Sequence, residues 1–233
     1  MHRYFALKID ETTFDLRGEN YYHFKNVVRI KNNERIEIIF DNLGYIGNVK
    51  SDNNGIITLE NISIHKSKQI KTIAIVGLIK EQKWDFILQK LTELGVTDII
   101  PVQFKRSIVE IKHDKIENKI ARWTSICEDA SEQSHQTFIP KIHNIVKDIN
   151  LLKNYLQEQN FLAYELESNQ AIFNPKKNMT SSFIIGPEGG FDKFEIEKLI
   201  DIGFISVKLD EKIFRTETAA IYMMSIINFV NNL

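Results

Sequence analysis

Apolar positions change rhythm once along this chain, near residue 70. Before that point they come in short β-branched runs. Arg3 to Leu7 reads as an edge strand, and Glu34 to Phe40 as a strand ending at the turn pair Asp41-Asn42. Gly44 to Val49 and Ile56 to Ile64 follow, separated by Asp52-Asn53-Asn54-Gly55, a hairpin signal. Short strands with turn signals at intervals of about ten residues predict a small β-barrel. One helical stretch, Tyr21 to Arg29, interrupts them, with Phe24, Val27 and Val28 at helical spacing.

After Lys71 strands alternate with helices. Thr72 to Val76 is a compact apolar strand. Lys80 to Leu94 is an amphipathic helix in which Trp84, Ile87, Leu88, Leu91 and Leu94 share a face, with Gly95 at the C′ position. Asp98 to Val102 is the next strand, and Asp114 to Ser131 the next helix. Phe161 to Tyr164 and Phe183 to Ile185 are short buried strands. Asp192 to Ile202 is a helix capped by Asp192, with Glu195 completing a capping box and Gly203 closing it. Ile205 to Leu209 is a strand, and Glu217 to Val230 a final helix. The alternation predicts a parallel α/β sheet. The expected division is 1–70 and 71–233, with a polar basic stretch at 66–71 between them.

Composition narrows the function classes. The 233 residues are 43% hydrophobic and 26% charged, which excludes wholesale disorder. The net charge of -1 argues against a basic nucleic-acid coat protein. Four of the seven arginines, Arg3, Arg17, Arg29 and Arg35, lie before residue 70, so a phosphate-binding face would be local. Cys127 is the only cysteine, so no intramolecular disulfide can form. Its neighbours Ile126 and Ala130 point to a buried, inert thiol on a helix. No apolar run reaches the ~18 residues of a membrane span and no signal core follows the N-terminus, so the expected location is the cytoplasm.

Glycine and proline are scarce, 10 and 4, yet three glycines and one proline lie together in Gly186-Pro187-Glu188-Gly189-Gly190. This stretch follows a buried strand and precedes a capped helix, the place where α/β sheets bind ligands. Glycine lets backbone groups approach a ligand closely. It is neither a Walker A loop nor the dinucleotide fingerprint, because the spacing is wrong. A second strand-to-helix link runs from Leu209 to Ala220. In it Thr216 is a candidate N-cap, and Arg215 a candidate phosphate or base contact, with a salt bridge to Glu211 or Glu217 as the alternative. Two weaker stretches are Phe104-Lys105-Arg106-Ser107 and Glu132-Gln133-Ser134-His135-Gln136. One cysteine and six scattered histidines give no zinc-ligand spacing, so no metal is expected.

Taken together and in order, these stretches resemble the RsmE family of 16S rRNA uridine-N3 methyltransferases, of the SPOUT class. The resemblance runs the whole chain. His23-Phe24 through Val28-Arg29 is similar to an N-terminal family element. Lys83 to Val96 is similar to the helix ending in "tELGV", Arg106-Ser107 to its "ERS" step and Glu132-Gln133-Ser134 to "EQS". Gly186 to Gly190 matches "GPEGG" in full, and Arg215 to Ala219 the end of "LG..ILRtETA". Three positions depart: Asp210 stands where the family has Gly, Phe214 where it has Leu, and Lys105 where it has an acidic residue. Asp adopts positive φ less freely than Gly.

The resemblance implies a SPOUT-type trefoil-knotted parallel sheet, a rarity among folds, with an N-terminal PUA-like β-barrel that holds RNA. It implies S-adenosyl-L-methionine as cofactor, N3 of a uridine in 16S rRNA of the small ribosomal subunit as acceptor, and a homodimer. The last helix, with Ile221, Met224, Ile227 and Phe229, suits a dimer interface or plain core burial. The expected cofactor contacts are Leu162, Tyr164, Ile185, Gly186, Pro187, Glu188, Gly189, Gly190, Leu209, Ile213, Phe214 and Thr218. Arg215 is the expected anion stabiliser or phosphate grip, and Glu188 and Glu217 the candidate bases. Expected RNA contacts are Arg3, Arg17, Lys25, Arg29, Arg106, Gln133 and His135. Two rivals stay open: another SPOUT RNA methyltransferase acting on tRNA, and a non-catalytic RNA-binding protein.

Overall fold

The computed structural model describes residues 1–66, 69–164 and 171–233. Ser67 and Lys68 of the expected linker, and Glu165, which follows the expected strand Phe161 to Tyr164, lie outside the described residues. The chain divides into two compact units: Met1–Lys68 with Ser131–Phe138, and Gln69–Ala130 with Ile139–Leu233.

The first unit contains β1 (His2–Phe5), β2 (Leu7–Lys8), β3 (Thr13–Asp15), α1 (Gly18–Tyr22), β4 (Arg35–Phe40), β5 (Leu43–Asn53) and β6 (Ile56–Lys66). They form one six-stranded sheet in the order β1-β4-β5-β6-β3-β2. Its two edge strands are consecutive in the chain, joined by Ala6 alone. The β5–β6 hairpin forms at the expected tract, with Asn54 and Gly55 at φ 51° and 97°. Both angles are left-handed, as a two-residue hairpin turn requires.

The expected helix at Tyr21 to Arg29 begins earlier, as α1, and continues as a π-helical turn, His23–Val28. It stops at Arg29, which is left-handed. Of the three residues at helical spacing only Phe24 is fully buried; Val27 is exposed, because the wider π turn carries it off the core face. Phe24 joins Tyr4, Phe14, Leu16, Ile36, Ile38, Tyr45 and Leu59 in the unit's core.

The second unit contains β7 (Thr72–Gly77), α2 (Glu81–Glu93), β8 (Asp98–Val102), α3 (Ile116–Gln133), β9 (Lys141–Ile142), β10 (Gln159–Ala163), β11 (Ala171–Ile172), β12 (Ser181–Ile185), α4 (Lys193–Ile202), β13 (Ile205–Lys208) and α5 (Thr216–Asn232). The sheet order is β11-β13-β10-β12-β7-β8-β9, and every pair is parallel. Every residue of the central β7 and β12 is buried. That is why their sequences read as continuous apolar runs rather than as alternation. The two-residue strands β9 and β11 carry no such run and leave no sequence signal.

Alternate side chains serve two layers. Ala74, Val76, Phe183 and Ile185 face Trp84, Leu88 and Leu91 of α2 and Met223 and Ile227 of α5. Ile73, Ile75, Leu162 and Ile184 face Ile196 and Leu199 of α4. Cys127 is fully buried, and burial pushes its thiol up to about 11, so it is a packing residue. Among the described residues no helix is long and apolar enough to cross a membrane.

Candidate functional site

The carboxyl ends of β10, β12 and β13 open on a cleft of about 400 Å³. Two strand-to-helix loops form its walls. The first runs from Ile185 at the end of β12 to Asp192, the N-cap of α4. Pro187 starts a turn closed by the Gly190 amide donating to the Pro187 carbonyl at 2.9 Å. Gly190 sits at φ +67°, where a Cβ would meet nothing within 4 Å, so its bare backbone borders open space in the cleft. A Cβ on Gly189 would stand 2.8 Å from the Arg106 carbonyl oxygen, so the loop can pass the 104–107 turn only as glycine.

The far end of this loop is fixed by the expected capping box. Asp192 accepts from the Phe194 amide at 3.2 Å, and Glu195 accepts from the Asp192 amide at 2.9 Å. The second Glu195 oxygen accepts from the Lys105 amide at 2.7 Å, so one buried carboxylate anchors two loops. Lys105 also donates to Asp192 at 3.0 Å; chiefly that bond, then the Phe194 amide, holds the Asp192 carboxyl below its usual range. Lys105, the departure from the acidic family residue, is thereby explained as a partner of Asp192.

The second loop runs from Lys208, the end of β13, to α5. Here the N-cap is Arg215, and Thr216 is the first helical residue. The expected cap is corrected for a physical reason: the buried Thr216 hydroxyl donates instead to the Gly186 carbonyl at 3.0 Å and ties the two loops together. Asp210 does not need the left-handed φ its glycine counterpart suggested. Its carboxylate accepts from the Lys212 amide at 3.0 Å, an Asx turn that suits aspartate.

Of the expected cofactor residues, Tyr164, Ile185, Gly186, Pro187, Glu188, Gly190, Leu209, Ile213 and Phe214 line the cleft, as does Arg215. Three do not. Leu162 is fully buried in the layer shared with Ile184 and Ile196, further from the strand end than Tyr164, so it does not reach the cleft. Gly189 turns against Arg106. Thr218 is exposed on α5 while Thr216 takes the wall position. Glu217, a candidate base, is also absent from the wall. Its Oε1 lies 3.5 Å from Lys83 Nζ.

Lys83 lines the cleft from outside the expected set of site residues. It belongs to the first turn of α2, and its Nζ lies 3.5 Å from Glu188 Oε1 as well. Its only sequence signal was its place at the start of the Lys83 to Val96 stretch. Phe191, Lys208 and Lys212 also line the cleft and lie outside the expected set. Among the described residues, no group of three or more His, Cys, Asp or Glu is placed to hold a metal ion.

In the first unit the expected RNA contacts separate. Arg17, Lys25 and Arg29 are exposed; Arg17 pairs with Asp15, and Lys25 donates to Asp52 at 2.7 Å. Burial raises the Asp52 carboxyl, but the bonds from Lys25 and the Gly55 amide outweigh it and leave the group below its usual range. Gln133 and His135 are exposed in the 131–138 segment. Arg106 is exposed beside Gly189 in the second unit.

Arg3 is a correction. It stands directly across from Glu37 in the β1–β4 register. Its Nε and Nη2 donate to Glu37 Oε2 at 2.8 and 2.6 Å, and its Nη1 donates to the Gln136 carbonyl at 2.9 Å. Only 8% of its side chain is exposed, so it has nothing left for a phosphate. The sequence expectation failed because a strand arginine looks the same whether it faces solvent or a buried carboxylate.

A parallel α/β sheet with a cleft bounded by two strand-end loops defines the class, and a family model described as "RNA methyltransferase domain" matches residues 66–228. Full-length relatives narrow it. The chain is 32% identical over 229 residues to "Ribosomal RNA small subunit methyltransferase E" of Mesomycoplasma hyopneumoniae, covering 97% of this chain and 98% of the relative. It is 32% identical over 255 residues to the protein of the same name from Bacillus subtilis, covering 100% and 98%. A solved structure of ribosomal RNA small subunit methyltransferase E from Neisseria gonorrhoeae, bound to S-adenosyl methionine, superposes with a TM-score of 0.83 at 26% identity, over 99% and 98% of the two chains. The chain belongs to the ribosomal RNA small subunit methyltransferase E family.

Proposed function

We propose that this protein methylates N3 of one uridine in the 16S rRNA of the small ribosomal subunit, using S-adenosyl-L-methionine. The observation that carries the reading is the cleft walled by 186–190 and 209–216 in a chain of this family. Its volume of about 400 Å³ falls in the range of small-molecule sites, roughly 300–1,000 Å³.

The residues present fit the cofactor. Ile185, Leu209, Ile213 and Phe214 offer apolar surface to an adenine, and Ile213 is 75% exposed. The bare backbone of Gly186 and Gly190 offers polar groups close by. When bound, the cofactor supplies an electrophilic methyl group on a sulfonium. The chain then has three tasks. It holds acceptor and donor in line, which can account for much of the rate. It accepts the uracil N3–H proton, a task for Glu188 in the cleft wall. It grips the RNA beside the target base, a task for the exposed, forked guanidinium of Arg215.

Residues 1–70 act as the RNA-binding barrel and 71–233 as the SPOUT methyltransferase domain. Closure of the barrel is supported by edge strands that are consecutive in the chain. The knot is supported by the path after β12: the chain lays β13 beyond β10, then returns so that α5 packs with α2 against the face of β12. The exposed Phe229 on α5 supports a homodimer. A cytoplasmic location follows from the ribosomal substrate. Arg17, Lys25, Arg29, Arg106, Gln133 and His135 are the proposed RNA contacts.

Mapping the methylated nucleotides of 16S rRNA by mass spectrometry in a strain lacking the gene tests the reading. Loss of a single N3-methyluridine, restored by the purified protein and cofactor, is expected. An unchanged map overturns it, and a lost tRNA methyl group would favour the tRNA alternative.

A further inference from the structure

Among the described residues, four cations line the cleft: Lys83, Lys208, Lys212 and Arg215. Lys208 is engaged by Glu211 at 2.8 Å, and Lys212 and Arg215 are exposed on the outer loop. Lys83 differs in origin and surroundings. It projects from the first turn of α2, a helix anchored by the buried Trp84, Ile87, Leu88 and Leu91. Its Nζ is 3.5 Å from one oxygen of Glu188 and 3.5 Å from one oxygen of Glu217.

Charge-assisted hydrogen bonds of this type run at about 2.7–2.9 Å, so neither contact is a full bond. Among the described residues the Lys83 ammonium donates no hydrogen bond, although it carries three donors. It is 34% exposed, with cleft space beside it. On the other side, Glu217 Oε2 is a buried carboxylate oxygen without a partner among the described residues. A buried charge in that state needs its neighbouring cation. The pair is therefore fixed from behind and open in front.

We infer that Lys83 is a catalytic residue that donates a hydrogen bond to a uracil carbonyl oxygen flanking N3 and stabilises the negative charge the ring develops there; this rests on the proposed function. Electrons and atoms balance simply. The N3–H bond breaks with its proton passing to Glu188. The freed electron pair forms the new N–C bond, and the donor's carbon–sulfur bond breaks with its pair left on sulfur. Glu217 is a positioning residue for Lys83, which explains why a candidate base lies outside the cleft wall.

The test compares wild type, Lys83→Met, Lys83→Arg and Glu217→Gln, with folding checked by circular dichroism. Single-turnover methylation by Lys83→Met should fall about 100-fold near neutral pH, a loss typical of removing one charge-stabilising donor. The deficit should shrink as rising pH ionises the uracil unaided. Lys83→Arg should recover to within about tenfold, and cofactor affinity by calorimetry should stay within about threefold in every variant. Glu217→Gln should lie between Lys83→Arg and Lys83→Met. If Lys83→Met does not fold, Lys83→Arg and Glu217→Gln carry the comparison.

A second readout does not use turnover. 5-Fluorouridine monophosphate, whose N3–H is more acidic, is titrated with S-adenosylhomocysteine present. Wild type should bind it about tenfold tighter once it ionises, and Lys83→Met should show no gain. A Lys83→Met rate near wild type at all pH values, parallel loss of rate and cofactor affinity, or no gain for the ionised nucleotide in wild type would each overturn the inference. If wild type keeps the Lys83-dependent nucleotide gain but leaves ribosomal RNA unmethylated, the proposed function fails instead.

Discussion

Thr216 and Gly186 lie 30 residues apart, yet the threonine hydroxyl donates to the glycine carbonyl at 3.0 Å and joins both walls of the cleft. The bond is partly buried, so removing its donor leaves the carbonyl poorly satisfied and loosens the tie between the loops. Thr216→Val keeps the shape and removes the donor. A net hydrogen bond of about 1 kcal/mol predicts roughly five- to tenfold weaker cofactor binding by calorimetry with unchanged circular dichroism. Unchanged affinity would show that the loops hold their places without this bond.

Arg215 occupies the cleft edge as the N-cap of α5, without capping it through its side chain. Its guanidinium is exposed at the cleft edge, as the proposed grip on RNA requires. Arg215→Ala should lower turnover about 100-fold while cofactor affinity stays within about threefold. Equal losses in both would assign Arg215 to the cofactor instead.

The basic residues of the first unit should behave in two ways. Lys25→Ala and Arg29→Ala should each weaken RNA binding and reduce its logarithmic salt slope by about 1, as loss of one phosphate contact does. Arg3→Ala should act on stability, because it removes both bonds to Glu37 Oε2 and leaves that buried carboxylate only His65, at 2.6 Å from its other oxygen. Loss of hydrogen bonds to a charged group predicts a cost of about 1.5–3 kcal/mol. Thermal unfolding against RNA titration separates the two behaviours; a salt-slope change in a fully stable Arg3→Ala protein would restore Arg3 to the RNA set.

Asp98 gives the stability of the second unit a pH dependence. Burial raises its carboxyl, but His143 at 2.7 Å and Thr97 at 2.8 Å outweigh that and hold it below its usual range. Its stabilisation is thus present above the unfolded carboxyl value of about 3.9 and is lost as pH falls through the lower folded value. Asp98→Asn should cost about 1–3 kcal/mol at pH 7, typical for hydrogen bonds to a charged group. The gap to wild type should close below about pH 4 in denaturant titrations. A gap that persists in acid would mean that packing, not charge, is lost.

Local pattern carried much of this protein. The central strands at 72–76 and 183–185, the α2 face around Trp84 and Leu88, the hairpin at Asn54-Gly55 and the Asp192–Glu195 capping box all lie where the residues placed them. Each depends on neighbours within a turn or two, which is the range over which sequence spacing maps directly onto geometry. The glycine cluster at 186–190 was legible for the same reason. Its backbone freedom is a property of the residues themselves.

Only the tertiary structure decided which residues of a motif face the cleft. Thr216 rather than Thr218, Glu188 rather than Glu217, and Lys83 from a helix whose loop contributes nothing else were sorted by how three elements converge. Arg3 turned inward for the same kind of reason, because Glu37, 34 residues later, lies opposite it in a parallel register. Sequence determines the strands, helices and turns through short-range sterics and burial. Which side chains meet across tens of residues is set only when those elements pack, because each pairing depends on register and facing that no single segment encodes.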